Sequence, residues 1–191
     1  MLDKAEFAKA VEDCKTLCAA IPVPLAGWQG KGKPKFGKTE IAFNGVEACG
    51  HVDTDLGITW PTPDAKGIAG DDKGAISPEN WFAGARLTGR ACGGDCSHES
   101  FVVPQSYKPH AEWDEPDENG RYFSFCKTAF KPYDLSVQAC LIVLACRFPG
   151  KFLVSSDGDW ENWVEAAEFV QARLGYGREI KALAFAPEPV E

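Results

Sequence analysis

The chain has 191 residues, 45% hydrophobic and 25% charged, with a formal net charge of -8 and a pI near 5.0. That length fills one core but not two ordinary domains, and an acidic balance argues against general nucleic-acid binding, which needs a basic face. No apolar run approaches the roughly 20 residues of a membrane span, and the start Met1-Leu2-Asp3-Lys4 lacks the basic and apolar blocks of a secretion signal, so a soluble cytoplasmic protein is expected.

Residues 3 to 21 are predicted to form a helix. Phe7, Ala10, Val11, Cys14, Leu17, Cys18 and Ile21 recur at helical spacing, Asp3 and Glu6 suggest a capping box, and Pro22 and Pro24 end the run. Residues 27 to 38 are rich in Gly and Lys and read as a mobile or ligand-facing loop. Strands are expected at Thr39–Asn44, Gly57–Trp60, Trp81–Gly89 and Ser100–Val103, with a Pro- and Gly-rich loop over 61 to 80. The two halves of this region share a loose pattern of strand, Cys/His-bearing connection, strand, which suggests a duplicated hairpin. The acids of Glu112–Glu118 mark a solvated turn. Arg121–Lys127 alternates like a strand.

Pro132 and Asp134 then suit the start of a helix, and Leu135–Cys146 is apolar nearly all round, so it should be the buried centre. Lys151–Ser155 reads as a short strand, able to pair in parallel with its predecessor across that helix. Asp159 is placed to cap a last helix with a stripe of Trp160, Trp163, Val164, Ala167, Val170 and Leu174, stopped at Gly175. Residues 187–191 should be a frayed tail. The order predicts a single α+β domain over 1–191, with a mainly antiparallel sheet and about three helices packed on it.

The densest chemistry is Cys92-Gly93-Gly94-Asp95-Cys96-Ser97-His98, with Cys49 and His51 forty residues upstream. Zinc takes about four Cys or His ligands, so Cys92, Cys96 and His98 with Cys49 or His51 are candidate ligands for one Zn2+. An open position there would permit metal-dependent catalysis, with Glu99 as the neighbouring base. Eight cysteines in a reducing compartment are otherwise best read as buried free thiols, including Cys14 and Cys18 on the first helix.

Gly32-Lys33-Pro34-Lys35-Phe36-Gly37-Lys38-Thr39 matches the phosphate-loop pattern, which makes Lys38 and Thr39 candidate phosphate-binding residues. That pattern needs a helix after it, whereas Ile41-Ala42-Phe43 is strand-like.

His98-Glu99-Ser100-Phe101, Cys126–Asp134, Ser155-Ser156-Asp157-Gly158 and Trp160 resemble segments of small uncharacterised proteins encoded by phages and bacteria, over roughly the last half of the chain. The resemblance implies a soluble intracellular accessory protein, related to phages or mobile elements, with no known reaction and no residue role to transfer. The leading expectation is therefore a non-enzymatic protein that binds a macromolecular, chiefly protein, partner. It contacts neither nucleic acid directly nor membrane. A zinc enzyme or zinc-stabilised protein, and a phosphate-ligand protein, are the rivals.

Overall fold

The computed structural model describes residues 1–21, 23–49, 90, 94–109 and 114–185, together with the backbone of 81–82 and 85–86. Helix α1 spans Lys4–Ala20. Its N-cap is Asp3, whose Oδ1 accepts from Ala5 N–H (3.0 Å) and Glu6 N–H (2.9 Å). The reciprocal half of the expected capping box is missing, because Glu6 instead accepts from Lys9 and from Arg147 on a distant helix. The predicted stripe is the buried face: Phe7, Ala10, Val11, Cys14, Leu17 and Cys18.

The Gly/Lys segment is tied down rather than free. Strand β1 (Leu25–Ala26), a 3-10 turn at Trp28–Gly30 and strand β2 (Lys35–Phe36) lie along one edge of strand β3 (Glu40–Gly45). A further pair, β4 (Trp81–Phe82) and β5 (Ala85–Arg86), is antiparallel, so the single strand expected over 81–89 is instead two short ones. Strand β6 (Phe101–Pro104) pairs antiparallel with Glu40–Phe43, on the opposite edge of β3 from β2. β3 and β6, the first strand of one expected hairpin and the second strand of the other, are direct neighbours, and the strand expected at 57–60 lies outside the described residues. Alternation along β3 sends Ile41 and Phe43 inward, where Phe43 packs against Phe36 and Phe101 with ring centroids 5.8 and 5.0 Å apart.

Helix α2 (Asp134–Arg147) is buried along most of its length and touches α1, α3 (Val164–Leu174) and α4 (Ile180–Ala184). One apolar cluster joins α1, α2 and α3 to Ile41, Phe43, Phe101 and Val103 of the sheet. Asn162 Oδ1 accepts from Asp159 N–H (3.0 Å) at the turn leading into α3, and Gly175 ends that helix at φ 79°, a left-handed value that glycine adopts without strain. The fold is α+β with an antiparallel sheet, as expected, but with four helices among the described residues, α4 being a five-residue addition.

Two expected strands are absent. Among the described residues, 121–127 and 151–155 pair with no strand, and without a partner a segment makes no ladder. No helix among the described residues is long and apolar enough to cross a membrane.

Candidate functional site

The segment 94–101 is clamped by the end of β3. Asn44, wholly buried, donates through Nδ2 to the His98 carbonyl (2.9 Å) and to Ser100 Oγ (3.2 Å), and its Oδ1 accepts from the N–H groups of Gly45 (2.8 Å) and His98 (3.2 Å). Gly45 has no room for a side chain, since a Cβ there would stand 1.8 Å from the Cys96 carbonyl oxygen. The close approach of two backbones thus fixes where Asp95 to Ser100 lie.

On that base rests the segment 126–134. Glu99 Oε2 accepts from Lys127 N–H (2.7 Å), the Glu99 carbonyl accepts from Tyr133 OH (2.6 Å), and Lys131 Nζ donates to the Asp95 carbonyl (2.8 Å). Ser97, through its hydroxyl and its N–H, and then Lys131 hold the Asp95 carboxyl below its ordinary range. The His98 ring Nδ1 lies 2.6 Å from the Lys127 carbonyl, which can only accept, so Nδ1 carries the hydrogen.

Within this segment the Lys131 N–H to Thr128 carbonyl bond (3.0 Å) closes a turn whose central residues, Ala129 and Phe130, both sit at φ 50°. A mirror-image turn of that kind favours Asn and Gly, so a successive Ala and Phe there are strained. Phe130 is 55% exposed. Phe123 and Phe125, just upstream, are 77% and 63% exposed, with ring centroids 6.1 Å apart and Lys127 Nζ 5.8 Å from the Phe125 ring. The acidic turn of Asp114–Glu118 precedes them, organised by Asp117, which accepts from Arg121 through both its backbone N–H and its guanidinium.

Beneath the same segment lies a charge knot. Arg90, 4% exposed, donates from Nε to Asp134 Oδ2 (2.8 Å), from one terminal nitrogen to Glu165 Oε2 (2.7 Å) and from the other to Gln138 Oε1 (2.9 Å). Thr128 Oγ1 donates to the second oxygen of Asp134 (2.6 Å), which stands in the first turn of α2 where the helix dipole favours an acid. Burial opposes the Arg90 charge, but Glu165 and Asp134 outweigh it and hold the guanidinium more firmly protonated than usual. Among the described residues, Glu165 Oε1 has no hydrogen-bond partner.

Cys126 and Tyr133 of the cluster are both held neutral. Burial, then the nearby Glu99 carboxylate, pushes the Cys126 thiol up to about 12, and burial followed by Cys126 raises the Tyr133 hydroxyl well above its ordinary value.

The expected zinc ligands fare differently. Cys92 and His51 lie outside the described residues. Cys96 is wholly buried with its N–H bonded to the Val46 carbonyl (3.2 Å), Cys49 is half-buried, and His98 is exposed and turned to Lys127. Among the described residues no three His, Cys, Asp or Glu side chains gather as a metal site.

The stretch that matches the phosphate-loop pattern ends in a tight turn. Gly37 N–H donates to the Glu40 carbonyl (2.9 Å) and Glu40 N–H to the Gly37 carbonyl (3.3 Å), closing a two-residue hairpin at Lys38-Thr39. Strand β3 follows where the motif needs a helix, and the Gly37 amide is used in the turn.

Comparison with known protein families, with characterised proteins and with solved structures finds no match. The segments 98–101 and 126–134, both part of the sequence resemblance described above, are bound to each other by the bonds around Glu99. Arg90, Gln138 and Glu165 were not singled out by sequence reasoning. Their signal was faint: a glutamine inside an otherwise apolar helix, and an acid beside the Ala166-Ala167 face of α3.

Proposed function

We propose that this chain is a non-enzymatic binding protein, an accessory factor of the kind phages and mobile elements encode, which docks a protein partner on the surface formed by Phe123, Phe125 and Phe130. The observation that carries the reading is the strained turn at Ala129-Phe130, which holds a phenylalanine outward on an anchored segment. Backbone strain persists only where the surroundings over-determine it, and it concentrates at sites that bind. Exposed aromatic groups close together are the usual anchors of an interface. The acidic turn before Phe123 and the net charge of -8 favour a partner whose apolar patch has a basic rim.

The test is site-specific photo-crosslinking in cells from which the protein is purified. Probes at Phe125 and Phe130 are expected to give one discrete, salt-sensitive adduct that disappears on Phe123→Ala. A probe at Trp28, exposed but far along the chain, should give none. Equal adducts from all three positions, or none, would sink the proposal. An adduct between two copies of the chain would replace a foreign partner with self-association.

A further inference from the structure

Three thiols meet in the core between α1 and α2. Cys14 and Cys18 stand one turn apart on α1, and Cys140 faces them from α2. The Cys18 and Cys140 sulfurs are 3.7 Å apart, although 122 residues separate them in sequence. Cys18 also lines a surface pocket of about 240 Å3, with Lys15 and Ala19 of α1 on one side and Val23, Leu25 and Phe36 on the other. Of the three thiols it alone borders that pocket. Cys14 and Cys140 are wholly enclosed, and burial holds both as neutral thiols.

We propose that Cys18 and Cys140 are a redox-active pair whose substrate is a small hydroperoxide entering by this pocket. The chemistry divides by access. Cys18, having lost its proton to water, attacks the terminal peroxide oxygen. The O–O bond breaks, the leaving oxygen takes a proton as water or an alcohol, and Cys18 becomes a sulfenic acid. The Cys140 sulfur then displaces the hydroxyl from Cys18, its proton leaving with that hydroxyl as a second water, and the Cys18–Cys140 bond forms. Two thiols are oxidised and one peroxide is reduced. The outcome is a covalent tie between α1 and α2, removable by a thiol reductant.

The experiment treats the full chain with hydrogen peroxide, blocks the remaining thiols by alkylation and maps the digest by mass spectrometry. A linked Cys18–Cys140 peptide is expected, with those two residues alone withdrawn from alkylation and restored by reductant. Cys14→Ala should leave the link intact. In Cys140→Ser, Cys18 should stop at sulfenic acid and be trapped by a cyclic diketone. If that variant fails to fold by circular dichroism, Cys18→Ala decides instead, since Cys140 must then stay reduced at the same peroxide dose. A link through Cys14, or oxidation of Cys49 or Cys126 while Cys18 and Cys140 stay reduced, would overturn the proposal.

Discussion

The Arg90 knot and the phenylalanine surface share one segment of chain and invert the usual order of things. Residues 128–134 turn Asp134 inward to a buried guanidinium, with Thr128 bonded to its second oxygen, while Phe130 of the same segment is left in solvent. Buried polar groups and exposed apolar ones are the informative exceptions in a folded chain. Here each accounts for the other. The inward hydrogen bonds tie down the segment that carries the strained turn and its exposed ring. The knot is therefore read as an anchor, and the surface as what it anchors.

The largest effect should come from breaking the anchor. Arg90→Met leaves Asp134 and Glu165 as buried carboxylates without their shared cation, which should cost about 3–5 kcal/mol in urea unfolding. Adding Asp134→Asn and Glu165→Gln should recover much of that loss. A cost below about 1 kcal/mol for the single variant would mean that the knot anchors nothing.

Next in size is a dependence on alkaline pH. The folded chain holds the Cys126 proton to about 12 against an ordinary value of 9.0, chiefly through burial. Its contribution to stability is thus complete below pH 9 and is lost as pH rises from there toward 12. Cys146, raised to about 11 by burial and then Glu179, acts with the same sign. Unfolding followed across this range should show stability falling with pH, and Cys126→Ala should flatten the slope. An unchanged slope would detach Cys126 from the anchor.

The smallest effect sharpens the comparison most. Phe130→Gly puts glycine where φ is 50°, and should stabilise the chain by about 1 kcal/mol while abolishing the photo-crosslink from a probe at Phe125. Stability and binding moving in opposite directions would mark the strain as functional. A loss of both would mark Phe130 as an ordinary structural residue.

Elements whose pattern is local were legible in the sequence. The stripe from Phe7 to Cys18 and the alternation at Ile41 and Phe43 each carry their own period, and α1, α2, α3, β3 and β6 were read from such signals. The same rule misled at 121–127 and 151–155, because alternation records which side chains share a face and not whether a neighbouring strand exists. The Gly/Lys stretch reads as a mobile or ligand-facing loop, since nothing in Lys35-Phe36 announces that β3 will pair with it. The candidate site lay partly in view: His98-Glu99 and Cys126–Asp134 were singled out, yet their joining through Glu99 was not. Arg90 lay out of view altogether, because its three partners come from two helices far along the chain.

Helix α1 has a consequence for synthesis. Its apolar face closes against α2, which begins at Asp134, so the ribosome must add more than a hundred residues before that face has its main helical neighbour. At ordinary translation rates that interval is on the order of ten seconds. An isolated helix of this length is marginal in water. Nascent α1 therefore spends those seconds as an amphipathic segment with two bare thiols and an uncovered stripe, a natural client for a holding chaperone.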